Sequence, residues 1–226
     1  MQQIAAGIHQ VSKGSNAFIV DGDEGVVLVD TGLPRRHGAI LDGVRAIGRT
    51  PEDIAAIVIT HGHADHAGGA AVLKRESGAA LIASEIDAPV VRGEAPAPTP
   101  PIMDYPVLRH LVGLVPTAEG VSVDHAIVEG SVPVVSDLTA VPTPGHTPGH
   151  ISLLLDRNGG VLFAGDSAMA TRSGGVQRGF MNRRSATFDA SLRSMADLEF
   201  EIACFGHSSA IVGGASGSFR AFVAGI

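Results

Sequence analysis

The 226-residue chain has no tryptophan, one tyrosine (Tyr105) and one cysteine (Cys204), and aromatic residues make up only 4% of it. A lone cysteine excludes an internal disulfide framework and fits a reducing compartment. Cys204 sits in the apolar run Ile202–Phe205 and reads as a buried structural thiol. With aromatics scarce, Val, Ile, Leu and Ala must fill the core. Charged residues make up 17%, the formal charge is −7 and there is no long basic run. That balance argues against general nucleic-acid or anionic-membrane binding. No run approaches the roughly 18 apolar residues of a spanning helix. The opening MQQIAAGIHQVSKG lacks the basic region and apolar stretch of a signal peptide. The expectation is a cytoplasmic enzyme-sized protein acting on a small molecule, with no nucleic-acid or membrane partner. Nothing in the sequence fixes its oligomeric state.

Hydrophobic residues make up 45%, which argues for a globular chain, and the length fits a single α/β domain over 1–226. Short apolar runs ending at polar or glycine-rich turns predict strands at Ala17–Val20, Val26–Asp30, Ile54–Thr60 and Ala79–Ala83. Further strands are predicted at Leu138–Val141, Ile151–Asp156, Val161–Ala164 and Glu201–Phe205. Apolar periodicity predicts helices at Pro34–Ile47, Asp65–Ser77, Phe188–Leu198 and Ser216–Ala224. Residues 92–117 differ, because repeated proline in RGEAPAPTPPIMDYP excludes regular helix and ladder. That segment, with the apolar stretch Val107–Leu114, reads as a lid inserted in the domain.

The strongest local signal is Thr60-His61-Gly62-His63-Ala64-Asp65-His66, with four potential metal ligands inside six residues. Neutral imidazole and carboxylate suit zinc, iron or manganese. His61 and His63, two apart, can face the same way in an extended loop. Asp65 and His66 are adjacent and must point differently, which suggests a second ion. The setting then recurs, since His146, Asp166 and His207 each follow a predicted strand. Strand ends on one side of a sheet are where α/β proteins assemble sites from distant segments. Glycines at 145, 149, 165 and 206 flank or precede these residues and let backbone pass close to an ion.

These residues resemble the metallo-β-lactamase-fold superfamily. His61-Gly-His63-Ala-Asp65-His66 matches its H-x-H-x-D-H motif, the later His146, Asp166 and His207 follow in its order, and Val29-Asp30-Thr31-Gly32 matches its early element. The resemblance implies an αββα sandwich of two mixed β-sheets flanked by helices, with a dinuclear site holding two zinc ions, or iron or manganese. It implies that His61, His63 and His146 hold the first ion, that Asp65, His66 and His207 hold the second, and that Asp166 bridges them. It makes Asp30 and His150 residues that position the ligands. His9, His37, His110 and His125 are left as spectators.

Two ions about 3.5–4 Å apart can share a water, acidify it and generate hydroxide, with Asp65 placed to shuttle a proton to the leaving group. The resemblance thus implies a metal-dependent hydrolase that uses a metal-bridging hydroxide. Departures from the subfamilies narrow the substrate. Asp166 stands where some β-lactamases of this fold have cysteine, and His63 stands where flavodiiron oxidoreductases have an acidic residue. Only 19 residues follow His207, too few for the helical extension of glyoxalase II. The stretch after Asp166, SAMATRSGG, lacks the tyrosine of acyl-homoserine lactonases, and Tyr105 in the lid segment is the one candidate to substitute for it spatially. The basic arm of ribonuclease Z-type enzymes is absent. Arg172, Arg178, Arg183 and Arg184 follow Asp166 and are candidates for gripping an anionic substrate. The reading is a small ester, thioester or lactone. The rivals are a β-lactam hydrolase and a mononuclear iron oxygenase acting on persulfides.

Overall fold

The structure is a computed structural model and describes residues 1–98, 117–127, 132–135, 137–179, 182 and 185–226. Its contacts divide the chain into two compact units, Met1–Ile127 and Val128–Ile226.

The first unit is a seven-stranded sheet whose spatial order is the chain order. Strands β1 (Gln2–Ala5), β2 (Ile8–Ser12), β3 (Asn16–Gly22) and β4 (Gly25–Val29) form an antiparallel meander. Strands β5 (Ile54–Val58), β6 (Ala80–Ser84) and β7 (His125–Ile127) then add in parallel. Parallel strands need crossover segments that cover the sheet, so the residues of β5 read as one apolar run, with Ile57 and Val58 wholly buried. Helix α1 (Gly38–Ala46) makes the first crossover and turns Ile40, Leu41 and Val44 onto Ile19, Leu28 and Ile57. Three more α-helices, α2 (Ala64–Ala67), α3 (Ala70–Ser77) and α4 (Ala88–Val91), follow among the described residues, and Leu73 of α3 joins the same core.

Two helices depart from expectation for local reasons. The helix predicted from Pro34 begins only at Gly38, because Arg35 sits in the left-handed region at φ 64°. The helix predicted over Asp65–Ser77 is broken into α2 and α3 at Gly68-Gly69. The Gly68 amide donates to Gly32 O at 3.0 Å and the Gly69 amide to Thr31 Oγ1 at 3.1 Å. A Cβ on Gly69 would meet Thr31 O at 2.6 Å. Glycine therefore lets the VDTG turn press into the helix. Strands β1, β2 and β7 went unread because QQIA, IHQVS and HAI are short and mix polar with apolar residues.

The second unit is a six-stranded sheet in the order β15-β14-β11-β10-β9-β8. Its strands are β8 (Val132–Val135), β9 (Leu138–Pro142), β10 (Ile151–Leu155), β11 (Val161–Phe163), β14 (Ile202–Cys204) and β15 (Ile211–Val212). Among the described residues of this sheet, only the β11–β14 pairing is parallel. A separate hairpin of β12 (Ala168–Ala170) and β13 (Val176–Arg178) was not anticipated. Helices α5 (Ala186–Ala196) and α6 (Ala215–Val223) lie where periodicity placed them, and Ser185 caps α5 by accepting from Phe188 N. The scarce aromatics gather here. Phe188, Phe200, Phe205 and Phe219 are fully buried in one core, with Phe200 and Phe219 edge-to-face at 5.3 Å.

Each unit is thus a mixed sheet with flanking helices, as the α/β expectation required. Among the described residues, no helix is long and apolar enough to cross a membrane. Residues 99–116 of the expected 92–117 lid, with Tyr105, lie outside the described residues.

Candidate metal centre

In the first unit, the parallel pairing of β4 with β5 sets Val29 opposite Val58, so Asp30 and the 59–63 loop leading into α2 emerge at the same edge. Asp30 is buried, with φ 60°, and gathers that loop. Its carboxylate accepts from Thr60 N at 2.8 Å, from Thr60 Oγ1 at 2.8 and 3.0 Å, and from His66 Nδ1 at 2.8 Å. A carboxylate only accepts, so His66 carries its proton on Nδ1 and presents the lone pair of Nε2. The Thr60 hydroxyl gives its one proton to Asp30. It must therefore accept from His61 Nδ1 at 3.1 Å, which makes Nε2 the lone-pair nitrogen of His61. His63 is set the other way round, because its Nε2 lies 2.9 Å from the carbonyl of Pro98, leaving the lone pair on Nδ1.

These rings converge. The His61 ring centroid lies 4.8 Å from that of His63 and 4.1 Å from that of His66. The Asp65 carboxylate is 3.7 Å from His66 Nε2 and keeps 31% of its side chain exposed. The loop is clamped from behind, with Thr31 N and Oγ1 both donating to His66 O at 2.7 Å and Ser15 Oγ donating to Asp65 O.

In the second unit, register explains the pairing of two distant residues. Phe163 stands opposite Cys204 in the parallel β11–β14 pair. Asp166 and His207 each follow three residues later, on loops joined by Gly206 N donating to Gly165 O at 2.9 Å. The β9–β10 turn carrying His146 opens at the same edge. Asp166 Oδ2 lies 3.3 Å from His207 Nε2 and 3.5 Å from His146 Nε2, so one buried carboxylate oxygen faces both imidazoles.

His150 is fully buried and locks these loops together. Its Nε2 accepts from Asp166 N at 3.1 Å, and its Nδ1 reaches Thr143 Oγ1 at 2.9 Å and Ser167 Oγ at 3.1 Å. Gly145, at φ 140°, lies so close to Phe188 that a Cβ would meet that ring at 2.6 Å.

Each expected ligand therefore stands at the sheet edge its strand predicts. His61, His63, Asp65 and His66 cluster with Asp30 in the first unit, and His146, Asp166 and His207 cluster with His150 in the second. The arginines behave differently. Arg172 is exposed at the turn of the β12–β13 hairpin. Arg178 is paired with Asp189 and stands 5.9 Å over the Phe222 ring, which commits it to packing within its unit. Arg183 and Arg184 lie outside the described residues.

Two residues of the site escaped the sequence reading. Asp87 is buried, and its Oδ2 accepts from Gly62 N at 3.0 Å, steadying the peptide between His61 and His63. Asn182 bonds to both His146 and Asp166. Neither belongs to a pattern that spacing alone reveals. Cys204 is buried, and loss of hydration pushes its thiol far above the usual range, as the structural reading expected.

Residues 13–207 match the family model of the metallo-beta-lactamase superfamily. The chain belongs to that superfamily, and its fold class is the metallo-β-lactamase fold. Among curated relatives, it is 32% identical over 155 residues to the "Probable metallo-hydrolase YflN" of Bacillus subtilis (strain 168), covering 63% of this chain and 55% of that protein. It is 26% identical over 218 residues to an N-acyl homoserine lactonase of Bacillus sp, covering 84% and 79%. The chain therefore spans little more than half the length of the first of these relatives. Among solved structures, Rm3 metallo-beta-lactamase is similar at a TM-score of 0.73 and 26% identity, over 99% of this chain and 89% of that one.

Proposed function

We propose that the protein is a metal-dependent hydrolase of a small lactone, ester or thioester, that it works with two metal ions, and that the ions are zinc, iron or manganese being the other fits. The observation that carries this reading is the single Asp166 Oδ2 set 3.3 Å from His207 Nε2 and 3.5 Å from His146 Nε2. That is the arrangement a bridging carboxylate needs if each imidazole serves its own ion. The donor set supports it too. It comprises imidazole nitrogens and carboxylate oxygens without thiolate, since Cys204 is buried within β14. His61, His63 and His146 would hold one ion, Asp65, His66 and His207 the other, with Asp166 shared. On this reading the two units act as one metallo-β-lactamase-like domain, with 92–117 as its lid.

When bound, the ions supply Lewis-acid polarisation of the acyl oxygen and a water acidified towards neutral pH. The chain's own residues do the rest. Asp30, Thr60 and the Pro98 carbonyl fix which nitrogen each histidine of the HxHxDH loop presents. Asp65 keeps partial access to solvent beside His66, which suits it to hold a proton and pass it to the leaving alkoxide or thiolate. The lactonase relatives put lactones first within the substrate class.

The test is a panel of an acyl lactone, an aryl ester, a thioester and a chromogenic cephalosporin, assayed with zinc-loaded and chelator-stripped protein. Zinc-dependent turnover of the lactone, ester or thioester is expected. Turnover confined to the cephalosporin would favour the β-lactam reading, to which the similar solved β-lactamases point. No turnover of any of them would overturn the proposal.

A further inference from the structure

We infer that Asn182 is a positioning residue that fixes two metal-site groups of the second unit at once. The inference rests on the metal reading above and extends it to a residue outside the family motifs. The Asn182 Oδ1 atom lies 3.0 Å from His146 Nδ1, and its Nδ2 donates to the main-chain carbonyl of Asp166 at 2.8 Å. The second bond settles the first. With the amide nitrogen on a carbonyl, the amide oxygen faces the ring, so His146 Nδ1 carries the proton and Nε2 keeps the lone pair. That Nε2 is the atom 3.5 Å from the Asp166 carboxylate. One amide thus selects the tautomer of His146 and holds the backbone that carries the Asp166 side chain, linking residues 36 and 16 positions away.

The surroundings are built for this. A Cβ on Gly179 would collide with Asp166 O and approach Asn182 Nδ2 to 2.8 Å, so the glycine keeps clear the space in which the amide meets the carbonyl. His150 holds the same residue from the other side, through the Asp166 amide at 3.1 Å. Asp166 therefore has its N–H fixed by one side chain and its C=O by another. Residues that orient ligands in this way change metal affinity about 10–100-fold when removed.

The test uses the full chain with Asn182→Leu, which is close in size but has neither donor nor acceptor, and Asn182→Asp, which keeps an acceptor for His146 Nδ1–H. Zinc affinity is measured by competition with a chromogenic chelator. The His146 tautomer is read in the metal-free protein from ¹⁵N-imidazole spectra, a signal that loss of packing alone would not move. Wild type is expected to show His146 with its proton on Nδ1. The Leu variant should lose that preference and bind zinc about 10–100-fold more weakly, whereas the Asp variant should restore the tautomer but, with no donor for the Asp166 carbonyl, not the full affinity. An unchanged tautomer and affinity in the Leu variant would overturn the inference. So would failure of the Asp variant to restore the tautomer, and that variant carries the test if the Leu variant does not fold. If wild type binds no zinc, the metal reading fails instead, and the spectra still decide whether Asn182 sets the ring.

Discussion

Asp30 and His66 meet at 2.8 Å across 36 residues of sequence, with both side chains buried. The contact joins the end of β4 to helix α2, which follows β5. It makes one carboxylate responsible both for the Thr60 turn and for the tautomer of a histidine proposed to hold metal. Asp30→Ala should lower zinc affinity about 10–100-fold, the usual cost of losing a partner that orients a ligand. It should also cost about 1–3 kcal/mol of stability, because the buried Thr60 donors lose their acceptor. Chelator competition and urea unfolding check the two effects, and a variant unchanged in both would contradict the role given to Asp30.

The peptide between His61 and His63 is held as tightly as its neighbours. A Cβ on Gly62 would stand 2.8 Å from two carbons of Val90, on the α4 turn whose Asp87 accepts the Gly62 amide. Gly62→Ala should therefore cost about 1–3 kcal/mol by overpacking and shift both histidines. A double variant with Val90→Gly, which removes both carbons, should lose less than the two single variants summed. Thermal melting of the single and double variants decides this, and additive losses would refute the contact.

Arg178 was a candidate for gripping an anionic substrate, but its pairing with Asp189 and its place over Phe222 point to packing. Arg178→Ala should lower the melting temperature through a loss of about 1 kcal/mol, given that the pair is only partly exposed. It should leave the ratio of KM values for neutral and carboxylate-bearing substrates unchanged. A selective rise in KM for the anionic substrate would restore the gripping role.

Cys204 supplies a pH prediction. Burial raises its thiol above the ordinary value of 9.0, so the folded protein holds it neutral where an unfolded chain would ionise it. That difference favours the folded state fully below the unfolded value, and it is progressively lost as pH rises beyond it. Native protein at pH 8 should resist alkylation by iodoacetamide, whereas urea-unfolded protein should react. Rapid labelling of the native state, followed by mass spectrometry, would contradict the burial.

Much of the site was legible because strand ends announce themselves. The β-branched run before His61 and the apolar runs before Asp166 and His207 each predict a strand, and register did the rest once Phe163 faced Cys204. What escaped the reading depends on partners distant in sequence. Gly68-Gly69 looks helical until Gly32 and Thr31 take their amides. Asp87 and Asn182 are single polar residues whose roles come from a buried amide and an imidazole that no local pattern reveals. The short β12–β13 hairpin was hidden because three-residue strands carry too little alternation to read.

The most direct measurement is the metal content of the protein after zinc loading and desalting, taken by inductively coupled plasma mass spectrometry for wild type and Asp166→Ala. The account predicts two zinc ions per wild-type chain. In the variant both occupancies should fall together, because Asp166 Oδ2 faces both His146 and His207. A single iron per chain in natively purified protein, or two zinc ions retained by Asp166→Ala, would contradict it.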